Sequence, residues 1–282
     1  RHPIRTWFRQ QLPIHLSEAQ ADEDIEAFEF DHLSRYQLSD RLLGPLAGRP
    51  DLHRVQREGK FPLGPVGVKI WDTLGEELAT LEQAITDLPG GKDPALEVEA
   101  RFLDFPEIGV RLGGSIRHLR GSDAGPTGML LVRPGRIRSV DIARIALERA
   151  LLPPSQAARP SASVLGFGEG RAVVCYTLAE FANEREWIEK LLGWYMRGMR
   201  QPVHAFPNCA QAFAEAWVKG KGASPSQAAE KAWLEGEYPE GIDAFNALIS
   251  RHRGEAVLDE QFEAFASEVY VPLHRMLAKV KS

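Results

Sequence analysis

The sequence has little of what marks several classes of protein. Two cysteines among 282 residues are too few for a disulfide framework or a cysteine-rich metal site. No apolar run reaches transmembrane length, and no signal peptide is visible. We therefore expect a cytoplasmic protein. Because the chain begins at Arg1 and not at methionine, we also expect a piece of a longer protein.

Motifs for catalysis or cofactor binding are equally scarce. The chain has neither a Gly-Lys-Ser/Thr phosphate loop nor a Gly-x-Ser-x-Gly elbow. Its eight histidines are scattered, without a pair at metal-ligand spacing. Gly166 and Gly168 precede a strand-like run, whereas a dinucleotide-binding loop opens a helix. We therefore expect no cofactor and no metal ion.

Charge is low overall but uneven along the chain. With 34 basic and 39 acidic residues the net charge is −5. Residues 111–149 nevertheless carry eight arginines against three acids (Asp123, Asp141 and Glu148), a local excess of five. Such a cluster is either a solvated, internally paired surface or a track for nucleic-acid phosphates, which the arginine fork fits well. The candidate DNA contacts are Arg111, Arg117, Arg120, Arg133, Arg136 and Arg138.

The same stretch predicts a hairpin followed by a helix. Val110–Leu119 and Gly128–Arg133 alternate apolar and polar residues, as half-buried strands do, and residues 121–128 are rich in glycine. Pro134-Gly135 is expected to end the second strand, and Ser139 to cap a helix that reaches Leu152. A second hairpin is predicted at residues 163–177.

Helical periodicity dominates both ends of the chain. Ser34 and Gln37 suggest a capping box, Ser224 and Gln227 another, and a last helix is predicted over Asp259–Val280 with a kink at Pro272. We expect an α/β (α+β) fold with a mixed sheet flanked by helices. Its predicted parts are a helical region at 1–90, a nuclease-like core at 91–200 and a helical region at 201–282.

The nuclease comparison rests on the hairpin and helix. In PD-(D/E)XK nucleases an acid on one strand and an Asp/Glu-x-Lys triplet on the next hold Mg²⁺ and activate water. Here Ser115 stands in place of the acid, and Leu131 and Arg133 in place of the triplet's ends. The scaffold thus resembles a nuclease whose catalytic positions are degenerate. An alternative metal site could use the displaced carboxylates Glu97, Glu99 or Asp104.

Four segments resemble the C-terminal region of the RecC family. They are RHPIRTWFRQQL (1–12), LSRYQLSDRLL (33–43), FPLGPVGVKIWDTL (61–74) and QPVHAFPNCAQAF (201–213). RecC is the gamma subunit of exodeoxyribonuclease V, the bacterial RecBCD helicase–nuclease. The resemblance implies a nuclease-like fold without a metal site, which guides or splits DNA during double-strand-break repair and contacts the RecB and RecD subunits.

Three functions follow for testing. The first is a non-catalytic domain that handles DNA and docks partner subunits. The second is an active nuclease that uses the displaced carboxylates. The third is a purely structural interaction domain that never meets DNA. For the first, we expect the loop Arg120–Gly128 at the hairpin tip to take part in splitting the duplex, with the six arginines beside it.

Overall fold

A mixed five-stranded sheet lies at the centre of the computed structural model. The described residues are 3–12, 30–44, 49–59, 61–96, 100–122, 125–152, 160–179, 183–220, 222–235, 239–251 and 257–280. No helix in these ranges is long and apolar enough to cross a lipid bilayer.

The first third is helical, as predicted, over the residues described. Its helices are α1 (Pro3–Gln11), α2 (His32–Leu43), α3 (Leu52–Arg57) and α4 (Gly64–Asp87). The predicted capping box at Ser34 is wrong: α2 begins two residues earlier, because the Asp31 carboxylate accepts the backbone N–H groups of Leu33 and Ser34. Asp51 caps α3 in the same way, through the N–H of Arg54.

Within the described ranges, seven strands form two sheets. The larger has the order β3 (Leu119–Ser122), β4 (Gly125–Arg136), β5 (Ala162–Phe167), β6 (Val173–Leu178) and β7 (Leu277–Val280). Only β4 and β5 within it are parallel, and α5 (Ser139–Ala150) makes the crossover between them. β1 (Arg101–Phe105) and β2 (Val110–Gly114) form a separate antiparallel ribbon. The mixed sheet flanked by helices is thus confirmed, and so is the hairpin at 163–177.

The predicted central hairpin is wrong in detail. Val110–Leu119 is not one strand, because the chain leaves the ribbon after Gly114 and enters the main sheet only at Leu119. Between them, Ile116 turns into the core, and the Glu148 carboxylate accepts the backbone N–H groups of Arg117 and His118. These two N–H groups therefore bond to a side chain of α5 and not to a neighbouring strand.

The turn signals around the hairpin predict a loop that is too long and a second strand that ends too early. β3 and β4 pair as far as Ser122 and Gly125, so most of the predicted loop 121–128 is strand. Pro134-Gly135 does not end β4, which runs on to Arg136. The β4–β5 register shifts between Val132 and Arg136, and such an irregularity accommodates a proline, which cannot donate to the ladder.

Helices cover both faces of the sheet. Leu130 of β4 packs with Leu81 of α4 on one face. Leu131, the next residue, points to the opposite face and packs with Ile142 and Ile145 of α5. This alternation follows the two-residue period of a strand. Trp187, from the helix that follows β6, packs in the same hydrophobic cluster as Ile142 and Ile145 of α5.

The last third is mainly helical. It contains α6 (Glu184–Arg200), α7 (Pro207–Lys219), α8 (Pro225–Leu234), α9 (Ala244–Ser250), α10 (Glu260–Phe265) and α11 (Val271–Arg275). The capping box of Ser224 and Gln227 is confirmed at the start of α8. The predicted last helix ends too late. A π-helical segment, Ala266–Tyr270, precedes Pro272, and the helix stops at Arg275. The chain then forms β7, which pairs with β6. The three-part division of the chain stays a prediction.

Candidate nucleic-acid interface

A cluster of arginines surrounds the first turn of α5. The Asp141 carboxylate, at the third position of the helix, accepts the backbone N–H of Arg138 at 3.0 Å. The Arg133 guanidinium reaches the same carboxylate, with Nε 3.3 Å from Oδ2, and also donates to the Arg136 carbonyl at 2.8 Å. The end of β4 is thereby tied to the start of α5.

Positive charge at this helix end exceeds the charge of its carboxylate. Asp141 is buried, whereas Arg138 is 57% exposed and Arg136 and Arg144 are also exposed. Burial lowers the pKa of Arg133, opposed by Asp141 and reinforced by the charges of Arg138 and Arg144. Arg133 and Arg138 reach the Asp141 carboxylate, and Arg136 and Arg144 add two further charges close by in the chain, so the start of α5 is net positive. The helix dipole also favours anions there. We call Arg133, Arg136, Arg138 and Arg144 the α5 arginine cluster.

Arg136 extends this surface toward the C-terminal helices. It borders a groove of about 770 Å³ between α7 and α8, whose rim also carries Lys219 and Lys231. Two acids, Glu215 and Glu235, lie on the same rim. Lys219 lies within 4 Å of Glu215, and Lys231 lies within 4 Å of Glu235. Within the described ranges, Arg136 is the rim cation that has no carboxylate within that distance.

The remaining predicted contacts lie elsewhere. Arg111 projects from the β1–β2 ribbon and pairs with Asp104, with Nε 2.6 Å from Oδ1, and this hydrogen bond lowers the pKa of the Asp104 carboxyl. Arg117 is exposed in the connection between β2 and β3. Arg120 is half-buried and donates to the carbonyls of Gly91 and Asp93 at 2.9 and 3.0 Å.

The structure therefore does not bring the six predicted arginines onto one surface. Arg120 pairs with Gly128 near the beginning of β4, and Arg136 ends that strand eight residues later. At about 3.3 Å per residue the two ends are roughly 25 Å apart. Arg149, a further arginine of the stretch, is buried and pairs with Glu184 at 3.2 Å. Of the sequence-predicted contacts, the geometry assembles Arg133, Arg136 and Arg138 alone.

The degenerate nuclease positions do not form a cleft. Ser115 is exposed and lies outside both β2 and β3. Leu131 is 5% exposed and packs against α5, and Arg133 is engaged with Asp141. A nuclease-like PD-(D/E)XK core is accordingly not established by this arrangement. It shows a mixed sheet flanked by helices.

The displaced carboxylates give no metal site among the residues described. Glu97 and Glu99 lie outside the described residues, and Asp104 is paired with Arg111. Within the described ranges, no three His, Cys, Asp or Glu side chains come close enough together to hold a metal ion.

Sequence reasoning missed several partners of the candidate residues. Tyr36 of α2 lies beneath the Arg133 guanidinium, whose Cζ is 4.8 Å from the ring centroid. Glu148 accepts the His118 ring N–H, with Nδ1 2.8 Å from Oε2, so His118 is an oriented side chain and not a bystander. Asp141 could have been found, because an acid in the first turn of a helix is a helix-start signal. Tyr36 and Glu148 lie far along the chain from the residues they touch and leave no local pattern.

Comparison with known proteins adds the decisive observation. The family described as the RecC C-terminal domain matches residues 1–217, which include β1–β6 and the α5 arginine cluster. The chain belongs to the RecC C-terminal domain family. It is also similar to the RecBCD enzyme subunit RecC of Escherichia coli (strain K12), with 24% identity over 229 residues. That alignment covers 77% of this chain and 18% of the E. coli protein, so the chain spans a small part of that relative's length.

Proposed function

We propose that this member of the RecC C-terminal domain family is a non-catalytic DNA-handling and subunit-docking domain. It would act in the cytoplasm as part of an exodeoxyribonuclease V (RecBCD-type) complex, in double-strand-break repair and recombination, with RecB and RecD as its partners. The family match supports membership in such a complex. The observation that carries the DNA role is the α5 arginine cluster.

The arginine fork fits phosphates, and the cluster's own carboxylate does not engage all of its arginines. Its one carboxylate, Asp141, is 4% exposed and already occupied by Arg133 and by the Arg138 N–H. Arg136 and Arg138 thus keep exposed guanidinium groups beside a helix N-terminus. Contacts of this kind bind the nucleic-acid backbone independently of sequence and release counterions.

The nuclease alternative is weaker on the described residues. A hard cation needs several oxygen ligands, and the position of the triplet acid is held by Leu131 inside the core. Asp104, the described member of the displaced set, is neutralised by Arg111. A purely structural domain remains the competing proposal, and DNA binding separates the two.

The salt dependence of DNA binding tests this proposal. Arg136→Ala together with Arg138→Ala should lower the slope of log affinity against log salt by about 1.8, near 0.9 for each phosphate that is no longer neutralised. The weakening should be equal for different sequences, since phosphates carry no base information. Arg200→Ala, an exposed arginine at the end of α6, is the matched control. An unchanged slope in the double variant would leave the cluster as ordinary surface charge.

We further propose that the β3–β4 hairpin takes part in splitting the duplex. Arg120 holds it to the chain after α4, and Thr127 Oγ1 donates to the Asp93 carboxylate at 2.6 Å. A braced hairpin supplies the rigidity that a splitting element needs. Arg120→Ala should therefore slow unwinding by the whole complex while ATP hydrolysis on single strands stays normal. Normal unwinding by this variant would remove the hairpin from the mechanism.

A further inference from the structure

Phe102 is an exposed aromatic ring on the β1–β2 ribbon. It lies in β1 with 62% of its surface exposed. Among the described residues from 91 to 183, it is the one large hydrophobic side chain in the exposed class. Its neighbours along the strand, Leu103 and Phe105, face the core. Burial in the core therefore does not account for the position of this ring.

The ribbon is shaped to hold the ring in one place. Phe102 lies directly opposite Gly113 of β2. A Cβ atom built on Gly113 would stand 2.6 Å from Cε1 and 2.8 Å from Cδ1 of the ring. Phe102 thus leans over bare backbone, which any other residue at 113 would block. The side chain is positioned on rigid strands although most of it meets solvent.

One cation lies beside this ring. The Arg111 guanidinium carbon lies 5.8 Å from the ring centroid. The Asp104 carboxylate shares the face with Phe102, and its charge is matched by Arg111.

We propose that Phe102 is a stacking platform for a nucleobase of single-stranded DNA, beside the Arg111–Asp104 ion pair. This site rests on the proposed DNA role and makes it specific, because it names single strands as the ligand. Proteins that bind single strands independently of sequence stack bases on exposed aromatic side chains. A protein contact favours a continuous apolar patch, whereas Phe102 is the one exposed large apolar side chain among the described residues from 91 to 183.

A comparison of a DNA strand that has bases with one that lacks them distinguishes base stacking from binding to the phosphates. Binding of the full chain is measured for a thymidine oligonucleotide and for an abasic strand of the same length and phosphate number. Phe102→Leu should weaken binding of the thymidine strand by roughly tenfold and leave the abasic strand unchanged. Gly113→Ala, which displaces the ring without removing it, should act in the same direction. Tyr195→Leu is the control, because Tyr195 has the same 62% exposure on α6.

Each result has one meaning. Equal binding of both strands by the wild-type protein, or an unchanged thymidine affinity in Phe102→Leu, overturns the platform. If the salt slope still responds to Arg136 and Arg138 in that case, the proposed DNA role survives without it. No binding of either strand overturns both proposals. A Phe102→Leu variant that keeps its DNA affinity but associates more weakly with RecB or RecD makes the ring a protein contact.

Discussion

Arg133 and Asp141 form an ion pair across the junction of β4 and α5. Nε of Arg133 lies 3.3 Å from Oδ2 of Asp141, and the two side chains are 13% and 4% exposed. The same carboxylate also accepts the backbone N–H of Arg138, so it both pairs with Arg133 and caps the start of α5. Because the pair consumes Arg133, the solvent-facing charge of the cluster comes from Arg136, Arg138 and Arg144.

Neutralising this carboxylate should destabilise the protein. In Asp141→Asn the half-buried Arg133 loses its counter-charge, and we expect a loss of about 2–4 kcal/mol in the free energy of unfolding. Urea titration followed by circular dichroism measures it. Arg138→Ala removes an exposed partner 3.7 Å away and should cost less than about 1 kcal/mol. Equal stability of Asp141→Asn and wild type would contradict the buried pair.

The isolated protein should not degrade linear DNA with Mg²⁺ or Mn²⁺. Restoring the triplet with Leu131→Asp and Arg133→Lys should also give no activity, because Ser115 offers no carboxylate. The variant should in addition unfold more readily, by about 3 kcal/mol or more, since residue 131 faces Ile142 and Ile145 and a carboxylate there is unpaired. Nuclease assays and urea titration on the same samples check both statements.

Cleavage by the wild-type protein would revive the nuclease alternative. Its source would then be found with Asp104→Asn, Glu97→Ala and Glu99→Ala. Loss of cleavage in any of these variants would assign the activity to the displaced carboxylates. Persistence in all three would point to a contaminating nuclease.

The Glu148 carboxylate should make stability depend on pH. Burial raises its pKa, but hydrogen bonds from the His118 ring and from the Arg117 N–H outweigh that effect, and the pKa lies below the ordinary value of 4.5. A depressed pKa in the folded state contributes stability above pH 4.5, and that contribution is lost as the pH falls through the folded value.

Glu148→Gln should therefore lower stability at pH 7 and reduce its fall between about pH 5 and 3. Urea titrations across that range measure both effects. Asp104→Asn is the control for an exposed acid whose pKa is also lowered, and its stability at pH 7 should stay close to that of the wild type. A pH profile of Glu148→Gln parallel to that of the wild type would contradict the role of this carboxylate.

The sequence predicts this fold well where local interactions decide the structure, and poorly where contacts between distant segments decide it. Local signals such as the capping box of Ser224 and Gln227 place the start of α8 correctly. The break at Ser115–His118 is not predicted, because it depends on Glu148, 30 residues away. Similarly, β7 becomes a strand by pairing with β6, about a hundred residues earlier, and its own sequence continues a helical pattern.

The candidate site shows the same division. Local charge counting finds the arginines, and three of the six predicted contacts lie together at α5. It cannot tell that Arg120 is anchored to backbone carbonyls or that Arg111 is paired with Asp104, since both depend on how separate segments pair in the fold. The exposure of Phe102 cannot be predicted for the same reason. The alternation of side chains along a strand defines two faces but does not say which face the rest of the protein covers.

The apolar surface at the start of α4 leads to a prediction about docking. Aromatic residues of the terminal helices are expected to be mostly core, and Trp233, Phe245, Phe262 and Phe265 are indeed buried, whereas Trp217 is 49% exposed. Leu63 and Val66, by contrast, are 71% and 58% exposed one helical turn apart.

Leu63→Ser with Val66→Ser should weaken association with RecB and RecD without unfolding the chain. Burial of two such side chains in an interface is worth about 3 kcal/mol or more, so the dissociation constant of the complex should rise at least about a hundredfold. Sedimentation or light scattering of the full complex measures it. Ile242→Ser is the matched control, because Ile242 is 72% exposed in the turn Glu240–Ile242. If both variants assemble like the wild type, the start of α4 is not a docking surface.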